Sequence, residues 1–194
     1  MKPFLFSTLT VCGLDELGGH SARGVTHALS ILDPGWPEPA AFGAFGPHVR
    51  ATFRFHDMIE QAPGALLPQK ADVAAILAFA RDAGDVSHLL IHCHAGISRS
   101  TAAMLMILAQ AHPREREEWA ADLLVKIRPQ AWPNSRMVAF ADELLGRGGR
   151  LTAALGPLYA RRLSAQPELA EGMRLGGRGR EVDLGLTALD FGRG

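Results

Sequence analysis

The chain is poor in the side chains that mark special protein classes. Cysteine occurs twice in 194 residues, at Cys12 and Cys93. That is too few for a disulfide framework or a four-ligand zinc module, so a reducing, cytoplasmic setting is expected and no metal or other cofactor is called for. Neither sign of charge is in excess, since 20 basic residues balance 20 acidic ones. A dedicated nucleic-acid binder would show a basic surplus, although a neutral chain can still hold a positive pocket. No run approaches the roughly 18 apolar residues of a membrane span, and residues 1–11 lack the long apolar core of a signal peptide, so neither is expected. Tyrosine occurs once, at Tyr159. What remains is ordinary: 47% hydrophobic and 21% charged residues, the balance of a soluble domain.

Hydrophobic periodicity and turn residues divide the chain. Residues 4–11, 26–32 and 49–55 read as strands, the last by strict alternation, and 88–93 reads as a fully buried strand by its run Leu89-Leu90-Ile91. Residues 33–48, dense in Pro and Gly, read as a loop. Helical spacing predicts helices over 69–83, 98–111, 115–127, 135–145 and 151–163, the second without a polar face and the last interrupted by Gly156-Pro157. Glycines then punctuate residues 164–194, which read as a glycine-rich C-terminal tail behind a domain of residues 1–163. The order of elements predicts an α/β domain with a mostly parallel central sheet of about four to five strands flanked by helices.

Chemistry concentrates where the buried strand ends: His92-Cys93-His94-Ala95-Gly96-Ile97-Ser98-Arg99-Ser100 joins it to a buried helix. Backbone N–H groups in such a loop converge, and the helix N-terminus adds positive potential, so the segment His94 to Ser98 suits an oxyanion such as phosphate. Arg99, six positions after Cys93, can offer its planar fork to two phosphate oxygens. A cysteine beside a helix N-terminus and a cation is expected to be a thiolate nucleophile, and Ser100 can donate to it. His92 is expected to orient the loop and His94 to face the pocket entrance. A metal held by the two histidines lacks a third ligand. Cys12 reads as a core thiol, with a disulfide to Cys93 as the alternative.

This Cys-x5-Arg run, preceded by His92 and followed by Ser100, resembles the active-site loop of the cysteine-based protein tyrosine phosphatase superfamily, and its ending is similar to the dual-specificity-like branch. The likeness in order of elements covers roughly residues 4–146. It implies a protein tyrosine phosphatase-like fold and hydrolysis of phosphomonoesters, above all phosphotyrosine with phosphoserine and phosphothreonine as further substrates, through a phosphocysteine on Cys93. Arg99 and the loop amides would hold the phosphoryl oxygens. It also implies an acid on a mobile loop before the cysteine. Asp57, 36 positions upstream and directly after a strand, is the choice for it, with Asp33, Glu60 and Asp72 as neighbours in sequence. In relatives an amide side chain beside the site orients water, a role for Gln130 or Asn134, unless Asn134 simply caps the next helix. Trp36, Phe45, Phe55, His56 or Trp132 would form any aromatic wall. The partner is then a phosphorylated protein or small phosphoester, not nucleic acid or membrane. The alternatives are a small-molecule, nucleotide or lipid phosphatase on the same chemistry, or a non-catalytic phosphoprotein-binding module. A rhodanese-type sulfurtransferase would leave Arg99 and Ser100 unexplained.

Overall fold

Strands β1 (Thr8–Cys12), β2 (His27–Leu32), β3 (Val49–Arg54) and β4 (His88–His92) make one sheet in the order β1-β4-β2-β3, with every pairing parallel. The computed structural model describes residues 7–83 and 87–191. Residues 4–6 of the expected first strand and 192–194 of the expected tail lie outside the described residues. The unbroken apolar run of β4 has a physical cause: Leu89 and Ile91 enter the main core while Leu90 enters a smaller one, so both faces of the strand are covered. The expected α/β class and parallel sheet are therefore found, with four strands.

The main core lies between the sheet and the helices α2 (Lys70–Asp82), α3 (Arg99–Ala111), α4 (Glu117–Ile127) and α5 (Ser135–Leu144). Because α3 packs against the sheet and against all three other helices, it carries no polar face. Asp72 accepts from the Gln69 N–H at 2.8 Å and caps α2. On the opposite face, the short turn α1 (Leu14–Leu17), which no periodicity signals, and a 3₁₀ turn at Ala40–Ala44 lay Leu17 and Phe42 over Cys12, Ala28 and Leu90. The expected loop over residues 33–48 is otherwise irregular.

The helix expected over residues 151–163 divides into α6 (Arg150–Ala153) and α7 (Leu155–Ala165). Pro157 falls in the first turn of α7, where its missing N–H breaks no helical hydrogen bond. The reading of residues 164–194 as a tail is corrected by the structure. α7 crosses its boundary, and α8 (Leu169–Leu175) and α9 (Gly179–Phe191) follow, with α9 lying along α7 and Val182 fully buried in the main core. The glycines misled because they do two different things. Gly177 has a φ of +74° and turns the chain between helices. Gly185 instead sits at the α7–α9 contact, where a Cβ would stand 2.8 Å from the Tyr159 Cβ and 2.9 Å from the Leu163 Cδ1.

Gly185 to Ala should therefore reverse the usual sign. An exposed helical glycine gains up to about 1 kcal/mol on conversion to alanine, and Gly172, inside α8 with open space around it, is expected to gain. Gly185→Ala is expected to lose about 1–3 kcal/mol through overpacking. Urea denaturation of the two variants beside the parent protein checks both signs.

Candidate active site

All four strands run in one direction, so Cys12, Leu32, Arg54 and His92 end at one edge of the sheet. In open parallel sheets this carboxyl edge is where sites form. The loop from Cys93 to Ser98 crosses it and enters α3. Gly96 permits the crossing: its φ is +69°, and a Cβ there would lie 2.5 Å from the Cys12 carbonyl carbon and 2.6 Å from the Gly13 nitrogen.

Each carbonyl of this loop is bound on its outer side. The Leu14 N–H donates to His94 O at 2.8 Å. Arg128 donates to Ala95 O at 3.1 Å and Gly96 O at 2.9 Å. Ile97 O accepts from the Trp132 N–H at 2.8 Å and from the Thr101 hydroxyl, which also donates to Ser98 O at 2.9 Å. With the carbonyls held outward, no backbone N–H from His94 to Ser98 donates to a protein group among the described residues. Arg128 was not singled out in the sequence, where it precedes a proline in a loop. It is buried, and its remaining bond is to Glu16 at 2.8 Å, whose carboxyl it holds below the usual range.

The Cys93 Sγ lies inside this loop, buried, 3.2 Å from the Ser100 Oγ. Arg99 is 3% exposed and donates through one nitrogen to Asp33 and to Phe55 O, both at 2.6 Å, while its buried Nε has no protein acceptor. His92 is fully buried, with Nε2 2.7 Å from the Ser30 Oγ and Nδ1 3.4 Å from Cys93 O. Burial pushes its pKa down to about 4, so it is neutral. The His94 Nε2 accepts from the Asp33 N–H at 3.1 Å, and burial holds this ring below its ordinary range against the opposing pull of Asp33. Over it stands Trp36, 44% exposed, edge-on with ring centroids 4.4 Å apart. Cys12 is buried and unbonded to another cysteine. Burial, with Glu16 nearby, pushes its thiol up to about 12, so it stays protonated.

Asp57 is brought to the same edge, but it is not free to swing. Its Oδ1 accepts from the Ser98 hydroxyl at 2.7 Å, the Asn134 amide at 2.9 Å and Arg178 at 3.2 Å. Asn134 also caps α5, its Oδ1 accepting from the Met137 N–H at 3.2 Å. Gln130 lies against the Arg128 guanidinium instead. Of the neighbouring acids, Asp33 pairs with Arg99, Asp72 caps α2 and Glu60 is exposed. Among the aromatic candidates, Phe55 and Trp132 are corrected to core residues. Trp132 stacks on Tyr159 at 4.5 Å and donates its Nε1 to Glu181 at 2.6 Å. Phe45 packs on Phe42, and the His56 Nδ1 accepts from the Leu66 N–H at 3.0 Å. Arg178 and Glu181 come from the segment expected to be a tail, and no local signal in the sequence marks them.

Human DUSP28 is similar with a TM-score of 0.51 and 18% identity, covering 73% of this chain and 96% of that one. A single-substitution variant of human DUSP28 gives 0.53 and 19%, covering 73% and 94%. Tk-PTP, solved in its active form, gives 0.50 and 16%, covering 75% and 96%. The fold is that of the dual-specificity phosphatases. In this phosphatase fold about a quarter of the chain has no counterpart in those structures. No protein-family model matches the sequence, and no curated protein matches it.

The neutral, buried His92 links stability to pH. Its folded pKa lies below its unfolded value, so the stability it contributes is present above about pH 6.5 and is lost as pH falls toward 4. The contribution to that loss is on the order of 3 kcal/mol between neutrality and pH 4. His92→Gln, which cannot titrate, is expected to flatten this part of the curve when unfolding free energy is followed by denaturant titration across that range.

Proposed function

We propose that the protein is a cysteine-dependent phosphatase of phosphomonoesters, with phosphotyrosine in proteins as its substrate class. The observation that carries this reading is the loop around Cys93: carbonyls bound outward, N–H groups left without protein acceptors, and the buried Arg99 Nε likewise unpartnered. Together these donors suit a tetrahedral dianion held against a sulfur nucleophile.

In the first step the Cys93 thiolate attacks phosphorus. The S–P bond forms as the ester P–O bond breaks, and the leaving oxygen takes a proton from Asp57. In the second, water attacks the phosphocysteine, Asp57 takes its proton, and the S–P bond breaks to return the thiolate and free phosphate. Ser100, 3.2 Å from Sγ, donates to the departing sulfur. Loop amides and Arg99 hold the non-bridging oxygens in both steps, which is where most stabilisation of the transition state arises. Asp33 orients Arg99 through a bond on the nitrogen opposite this use. Trp36, exposed beside His94, supports an aryl over an alkyl ester, since a flat ring can pack against it.

Wild-type protein is expected to hydrolyse para-nitrophenyl phosphate and a phosphotyrosine peptide, and Cys93→Ser to lose all measurable turnover. Asp57→Asn is expected to lose about 10²–10⁴ in kcat, more with poorer leaving groups. Trp36→Ala is expected to raise KM for aryl phosphates about fivefold. Steady-state assays from about pH 4 to 8 check these, and absence of wild-type turnover on every phosphoester tried would overturn the reading.

A further inference from the structure

Among the described residues, Arg178 is the one charged group beyond α7 that hydrogen-bonds to Asp57 and Ser98. It is 6% exposed and lies just before α9, 121 positions from the acid it touches. Its own anchor is Glu181, which is 1% exposed and accepts from the Arg178 Nε at 2.8 Å and Nη2 at 3.0 Å. Glu181 is held in turn by the Trp132 Nε1 at 2.6 Å and the Ser135 N–H at 2.8 Å. All acceptor capacity of this buried carboxylate is thereby used, which is the condition under which a buried ion pair holds one geometry.

From this anchor Arg178 extends two bonds toward the active site: Nη2 to the Ser98 Oγ at 3.0 Å and Nη1 to the Asp57 Oδ1 at 3.2 Å. The Ser98 hydroxyl donates in turn to the same Oδ1 at 2.7 Å. The guanidinium stays charged. Burial opposes the charge, but Asp57 and Glu181 together outweigh burial and hold it above its ordinary range. Oδ1 of Asp57 thus takes three donors, while Oδ2 takes none among the described residues. A carboxyl group so arranged carries its exchangeable proton on Oδ2.

We propose that Arg178 is a positioning residue for Asp57, supplied by the C-terminal helices, which pins the carboxyl group by Oδ1 and leaves Oδ2 to exchange the proton. The inference rests on the proposed role of Asp57 as the acid. It assigns a function to residues 164–191: α9, set by the Gly185 contact against α7, holds the Arg178–Glu181 pair in place.

The full-length Arg178→Met variant tests this with two aryl phosphates of different leaving ability. With phenyl phosphate, whose phenoxide needs a proton, kcat is expected to fall about tenfold or more. With 2,4-dinitrophenyl phosphate, whose leaving group needs none, it is expected to stay within about twofold. In an Asp57→Asn background, adding Arg178→Met is expected to cost nothing further. Equal losses with both substrates, or full additivity with Asp57→Asn, would overturn the proposal. Hydrogen exchange gives a readout that needs no activity: amides of residues 56–59 are expected to exchange faster in Arg178→Met while those of β4 do not, and unchanged exchange at 56–59 also overturns it. Should Arg178→Met not fold, Glu181→Gln loosens the same pair at similar volume and is expected to give the same substrate-selective loss, or the proposal fails. A wild type inactive on both esters would instead refute the phosphatase reading, and exchange would still decide whether Arg178 pins Asp57.

Discussion

Everything at this site depends on the outward binding of the loop carbonyls between His94 and Ser98. A peptide group has two polar ends, and a loop can direct its N–H groups to one centre only if the carbonyl ends are satisfied on the other side. Here the satisfying donors come from four different places: the first residue of α1, the guanidinium of Arg128, the first turn of α3, and the segment that leads into α5. Gly96 makes the arrangement sterically possible by letting the loop touch the backbone of Cys12 and Gly13. The loop is consequently a product of the whole α/β domain.

A second constraint is electrostatic. Three arginines gather around the loop, and each has a carboxylate partner: Arg99 with Asp33, Arg128 with Glu16, and Arg178 with Glu181 and Asp57. These three guanidinium groups face four carboxylates, so the cluster holds no surplus of cations with which to draw an anion. In the proposed function an anion would be held by backbone N–H groups, the start of α3 and the unpartnered Nε of Arg99. Such donors are short-ranged and directional, so in that reading they would suit a single phosphoryl group better than a polyanionic surface.

The C-terminal segment shows why composition misleads in a helix-rich region. Glycine usually marks a break, because its backbone freedom disfavours helix. Gly185 sits instead where α7 and α9 approach too closely for a larger side chain, while Gly156 lies on the same contact with ordinary van der Waals room, and the helix is retained by packing. The same packing explains Trp132 and Tyr159. In sequence they are aromatics of no fixed place, one of them a candidate pocket wall, whereas in the fold they stack on each other beneath α9.

The sequence by itself determined the elements whose signals are local: the buried strand β4, the apolar helix α3, the parallel α/β class, and the Cys93-to-Ser100 run between strand and helix, which is contiguous and so keeps its spacing in any conformation. It also placed Asp57 after a strand and Asn134 at a helix start, because alternation and capping are short-range effects. Only the tertiary structure decided who holds these groups. Arg128, Asp33, Arg178 and Glu181 act on residues between 32 and 121 positions away, and Trp132 and Ser135 are tied to Glu181 across 49 and 46. A hydrogen bond between side chains so far apart leaves no periodicity in the chain; it exists only where packing has brought the two ends together.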